Sequence, residues 1–403
     1  MARFFSPFAF AGLLAVGLAG CMGSGSLVPP GSVSSFASGG GGDIPERGAA
    51  AGETLGRGSV RVALLLPLSG PGQSAAAAQS LRNAADLALS EFQDPDVTIL
   101  VKDDRGTPEG AREAASQAIA EGAELIVGPL FAGSVQTAAQ VARQAGRPVI
   151  AFSTDASVAA RGVYLLSFLP QAEVDRVIDH AAAQGRRSVA ALIPETTYGS
   201  VVEAQFREAA ARNNLRVAAI ERYSPGQPQA GVQRLAPVIG GIAPQVDALF
   251  IPETGEGLAA VSQALQTAGF DPHRVKPLGT GLWNEARVFN LPALQGGWFA
   301  APDNRGFNAF APRYRARYNA DPTRLATLSY DAVSLAAALA RTQGSQRFAE
   351  EVLTSPSGFA GADGVFRFRA DGLNDRALAV QEIRAGGVAT ISAAPRALAP
   401  PGT

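Results

Sequence analysis

The side chains that could carry covalent or metal chemistry are scarce in these 403 residues: one cysteine, Cys21, and two histidines, His180 and His273. A lone cysteine closes no internal disulfide, and two histidines far apart in sequence with no second thiol make no zinc set. Neither histidine falls in a candidate cleft loop, and there is no Gly-x-Ser-x-Gly elbow or phosphate-binding Gly-rich loop. The nearest thing to an acid/base couple is the adjacent pair Asp103 and Asp104, which fits better as a cap on the turn before a helix. No catalytic residue, metal or cofactor is expected. A net charge of −1 without basic blocks argues against nucleic acid or an acidic lipid surface as partner.

The position of the cysteine points to a different chemistry. Arg3 is followed by an apolar run, Phe4 to Leu18, broken by Pro7, which suits the core of an export signal better than a membrane span of about 20 residues. The run ends Leu18-Ala19-Gly20-Cys21, which resembles the bacterial lipobox: an aliphatic residue, two small ones, and a cysteine whose thiol receives diacylglycerol. That resemblance implies a lipoprotein signal peptide over residues 1–20 and lipidation of Cys21, at about 0.8 kcal/mol per buried CH2 a stable anchor once two or three chains are attached. Met22, in place of the aspartate that retains such proteins in the inner membrane, implies the periplasmic side of the outer membrane, with the lipid as the only membrane contact. Residues 21–58 are rich in Gly, Ser, Pro and Ala with a run Ser38 to Gly42, read as a flexible tether, and residues 391–403 as a flexible tail.

Between tether and tail, short apolar runs alternate with amphipathic or alanine-rich ones. Val60 to Pro67 reads as a buried strand and Ala75 to Phe92 as a helix; a second helix opens with Thr107 as N-cap and Pro108 at its first position and stops at Gly122. The same rhythm resumes at Ser188 to Pro194 and runs to Lys276 to Gly281. It implies an α/β fold of two lobes with parallel sheets covered on both faces.

The loops after these strands are where an open α/β sheet holds its ligand. They read PLSGPG (Pro67 to Gly72), DDRGTPEGA (Asp103 to Ala111), GPLFAGS (Gly128 to Ser134), FSTDAS (Phe152 to Ser157), PETTYGS (Pro194 to Ser200), PETGEG (Pro252 to Gly257) and LGTGLW (Leu278 to Trp283). In that order and spacing, from Val60 to about Ile383, the chain resembles the type I periplasmic binding proteins typified by leucine/isoleucine/valine receptors. The resemblance implies two Rossmann-like lobes joined by three crossovers, near Phe168 to Leu169, Ala300 to Ala301 and Val365 to Phe368. Lobe 1 would then comprise 59–168 and 301–365, and lobe 2 would comprise 169–300 and 366–390.

Carried over position by position, the resemblance gives Ser69, Phe131, Ser153, Thr154, Asp155, Tyr198, Glu253 and Thr280 as candidate cleft residues. Ser153 and Thr154 match a segment that holds a ligand carboxylate, Phe131 replaces a serine, and Tyr198 matches an aromatic of the second lobe. The carboxylate that usually meets a ligand ammonium is replaced by Gly281, leaving Asp155 or Glu253 to substitute. Two functions follow. With its lipobox and long tether the chain resembles the penicillin-binding protein activators, which implies a class A penicillin-binding protein as partner and a role in peptidoglycan synthesis. The alternative is a solute-binding receptor of an ABC importer for an amino acid, amide or short peptide, with a small polar ligand.

Overall fold

The computed structural model describes residues 52–398. The lipobox cysteine and most of the expected tether lie outside the described residues. The first lobe runs β1 (Thr54–Leu55), β2 (Val60–Leu66), α1 (Gln73–Ser90), β3 (Val97–Asp103), α2 (Pro108–Ala120), β4 (Leu125–Val127), α3 (Ala132–Gln144), β5 (Val149–Ala151) and β6 (Val163–Leu165). The second runs α4 (Pro170–Ala183), β7 (Ser188–Pro194), α5 (Thr197–Arg212), β8 (Arg216–Tyr223), α6 (Gln229–Ile239), β9 (Ala248–Phe250), α7 (Gly255–Thr267), β10 (Lys276–Gly279) and β11 (Trp298–Ala301). The chain then returns through α8 (Asn304–Tyr318), α9 (Ala326–Thr342) and α10 (Glu350–Leu353) to a small sheet of β12 (Phe359–Gly361), β13 (Gly364–Phe368) and β14 (Asn374–Arg376). It ends in the hairpin β15 (Ala379–Arg384) and β16 (Gly387–Ser392).

The six-stranded sheet has the order β1-β3-β2-β4-β5-β6 and the seven-stranded sheet β16-β15-β11-β10-β9-β7-β8. Both are parallel except where β1 joins β3 and where β15 and β16 join β11, so the sheets are mixed, parallel-rich. Their central strands show why this sequence makes a doubly covered sheet. In β2, Leu64 and Leu66 enter the core shared with α1 and α9, while Ala63 and Leu65 enter the core shared with α2 and α3. Alternate side chains leave a strand on opposite faces, so a run that is apolar throughout needs a helical layer on each side. In β7, Ala190 and Leu192 face α6 and α7, and Val189, Ala191 and Ile193 face α4 and α5.

The chain passes between lobes three times: at Leu166–Leu169, at Pro302–Asp303 and at Ala377–Leu378. The last differs from the expected Val365 to Phe368. Phe366 and Phe368 lie on one face of β13, each 1% exposed in the first-lobe core beside Tyr164, and β14 pairs with β13 before the chain leaves. Residues 366–376 therefore belong with lobe 1. The body also begins earlier than residue 59, because Thr54 and Leu55 pair with Leu100 and Ile99 and Leu55 is buried. At the other end β16 carries pairing to Ser392.

Candidate functional site

Three helices of the second lobe start at the strand ends that face the first lobe, and their starts are fixed by side chains. Thr196 accepts a hydrogen bond from the Gly199 amide at the head of α5, and Thr254 accepts one from the Gly257 amide at the head of α7. Pro170 opens α4, its ring preset for a first helical position. Between these helix starts and the first lobe lies a cavity of about 620 Å³ with mostly apolar walls. Phe168, Thr154, Arg324 and Leu325 close it from the first-lobe side and the first crossover; Ala301 and Pro302 bring in the second crossover.

The deepest polar group is one the sequence reading did not single out. Glu173, in the first turn of α4, is 6% exposed, and its Oε2 accepts the Gly281 amide at 2.9 Å. Burial away from water pushes its carboxyl up to about 8, so it holds its proton at neutral pH. Gly281 makes room for it: a Cβ there would lie 2.5 Å from Glu173 Oε1. The acid expected on the turn at residues 278–283 is thus absent from that turn, and an acid from α4 occupies the space. Beside it the Tyr198 hydroxyl bonds Thr280 Oγ1 at 2.8 Å, and desolvation raises the phenol well above its ordinary range.

Glu253 also lines the cavity, with both oxygens engaged. Oε1 accepts the Thr254 amide at 2.6 Å and its hydroxyl at 3.0 Å, and Oε2 accepts the buried Tyr223 hydroxyl. Arg324 makes two bonds of 2.8 Å to the buried carboxylate of Asp363, and its guanidinium lies 4.7 Å from the Phe168 ring centroid. Arg376 approaches the same ring at 5.1 Å, so the aromatic residue at the first crossover is set between two cations. The Asn284 side-chain amide donates a hydrogen bond to Asn304 Oδ1 at 2.8 Å, joining the second-lobe loop to the head of α8.

Of the candidates from sequence, Thr154, Tyr198 and Glu253 line the cavity, and Thr280 stands behind Tyr198. The other four lie outside its lining. Ser153 is buried and its Oγ accepts the Asp155 amide; Asp155 in turn caps the short turn Ala156–Val158 through the Ser157 amide. The Ser69 amide donates to Asp103 Oδ1 at 3.2 Å. Phe131 is 40% exposed at the head of α3, packed near Gly106. Glu173 and Arg324 carried no signal that spacing could reveal: an acid in a helix's first turn and an arginine before a helix look alike whether they face solvent or a cavity.

An open pair of parallel-rich sheets, three crossovers and a cavity at the strand ends define a bilobed α/β architecture. Residues 59–388 match the family described as periplasmic binding protein, and the chain belongs to that family. The fold is similar to that of a putative branched-chain amino acid ABC transporter protein from Rhodospirillum rubrum, at 21% identity and a TM-score of 0.71 over 82% of this chain and 99% of that one. It is also similar to a solute binding protein of an ABC transporter from R. palustris in complex with benzoate, at 20% identity and a TM-score of 0.60, covering 85% and 98%. A leucine binding protein from Thermotoga maritima matches at 21% identity and a TM-score of 0.59, covering 83% and 98%. No curated protein matches the chain. Among the described residues no helix is long and apolar enough to cross a membrane.

Proposed function

We propose that the chain is a solute-binding receptor that captures a small organic molecule between its lobes for an ABC importer. The observation that supports this reading best is the cavity of about 620 Å³, of the size that buries a small ligand, walled by apolar groups with few polar ones. The solved structures it resembles are named as transporter binding proteins, among them complexes with benzoate and with isoleucine. The activator reading rests on the lipobox, the tether and Met22, and Gly281, where a receptor would carry the counter-charge for an ammonium, pointed the same way. Glu173, in hydrogen bond with Gly281, supplies an acid beside that position and so counts against the argument from Gly281. A melting screen of the purified chain against a broad solute set tests the receptor reading. A true ligand at about 100 times its dissociation constant stabilises by about 2.7 kcal/mol, a shift easily read. A screen without hits, followed by stimulation of a class A penicillin-binding protein by the same preparation, would return the activator reading to first place.

We also propose that Cys21 is acylated and holds the protein at the periplasmic face of the outer membrane. Wild-type protein made in a bacterial host is expected in the detergent phase on Triton X-114 partition, and Cys21→Ala in the aqueous phase with an unchanged melting curve. Wild type in the aqueous phase would remove the lipid anchor from the account.

A further inference from the structure

We propose that the solute is a cation, an ammonium group on an apolar body with no carboxylate beside it, and that Glu173 is its counter-ion. This rests on the receptor reading above. Glu173 is nine-tenths buried and lines the cavity with one oxygen uncommitted: Oε2 is held by the Gly281 amide, whereas Oε1 takes no hydrogen bond among the described residues. The other acids in the wall are engaged. Glu253 accepts three bonds, and Glu285 pairs with Arg287 at 2.8 Å. The cation in the wall, Arg324, is committed to Asp363 through two nitrogens.

An entering carboxylate would therefore find no free cation, since Arg324 is already paired, and would meet Glu253 and Glu285, whereas an entering ammonium meets a buried acid with a free oxygen. Tyr198 and Leu282 supply surface for the apolar body.

Without a bound cation Glu173 keeps its proton to about pH 8, with Tyr198, Glu253, Glu285 and Arg324 as the titratable or charged groups around it. A bound ammonium holds the carboxylate ionised, so capture of the cation releases that proton. Affinity for an amine should then fall by about tenfold for each pH unit below 8.

Calorimetric titration of the full chain with phenethylamine, hydrocinnamate, phenethyl alcohol and phenylalanine separates the possibilities, because these share a ring and differ in charge. Phenethylamine is expected to bind most tightly, to lose affinity on acidification, and to lose at least about tenfold in Glu173→Gln, a change that keeps the acceptor for Gly281. Phenethyl alcohol, which carries no charge, should lose far less than phenethylamine in Glu173→Gln, which separates lost charge from lost shape. Tighter binding of hydrocinnamate than of phenethylamine would overturn the cation proposal and leave the receptor reading standing. Undiminished amine binding by Glu173→Gln would do the same. If none of the four binds, the ammonium proposal falls, and the broad solute screen then decides the receptor reading independently.

Discussion

Thermal stability of this protein is expected to be greatest near pH 4 to 5 and to decline steadily to pH 8. Three buried acids set that slope, each raised chiefly by burial: Asp104 to about 6 and Asp331 to about 7, both from 3.8, and Glu173 to about 8 from 4.5. In each case the folded state keeps a proton that the unfolded chain gives up, so stability is full below the unfolded value and is withdrawn as pH rises to the folded one. Each contributes roughly 1.4 kcal/mol per pH unit within its window. Buried His180 works against them, since its lowered value makes the unfolded chain the better proton acceptor just below 6.5. On the acid side, Asp103, Asp247 and Asp303, lowered by hydrogen bonds that outweigh their burial or by pairing, lose their contribution as pH falls through their folded values, below 3.8.

The net loss from pH 5 to pH 8 is on the order of several kcal/mol. Above pH 7 the slope belongs to Glu173, so Glu173→Gln should flatten it there and melt higher than wild type at pH 8. A wild-type melting temperature that stays level or climbs from pH 5 to pH 8 would show that these carboxyls are better solvated than the packing around them allows.

Trp283→Ala is expected to be the most damaging single substitution in the second lobe. The indole is fully buried, donates from Nε1 to the Ile251 carbonyl at 3.0 Å and packs against Phe299. Gly279 and Gly297 are shaped around it, for a Cβ at either would come within 3.0 Å of the ring. Removing a large buried aromatic costs about 3–5 kcal/mol, and a cavity this tightly framed by backbone can collapse only partly. Trp283 also ends the turn Gly281–Trp283 whose first residue holds Glu173, so ligand capture should be lost even at temperatures where the variant remains folded. Urea unfolding measures the first effect and titration the second. A loss under about 1 kcal/mol would contradict the packing argument.

How much of this could be read from the sequence follows from what each residue must satisfy locally. Buried parallel strands and the Thr107 cap are governed by short-range pattern and were legible, whereas Thr154, Tyr198 and Glu253 were reached only through the family resemblance. The third crossover was not, because alternating Phe366 and Phe368 would suit a strand in either lobe; only packing beside Tyr164 assigns them to the first. Glu173 was missed for a related reason. Its place in a first helical turn satisfies the helix dipole wherever the helix points, and its burial is decided by a glycine 108 residues away in sequence. Four candidates carried over from the family, Ser69, Phe131, Ser153 and Asp155, are taken up by local turns and helix starts instead.

The two-residue strand β1 acts as a stopper. Its antiparallel pairing with Leu100 and Ile99, and the Glu53 carbonyl that receives the Val101 amide, occupy the outer side of β3. A chain begun at Ser59, where the family match starts, would leave that row of amides and carbonyls open, a template for strand addition by a second molecule. The few residues before the family boundary thus guard against edge-to-edge aggregation.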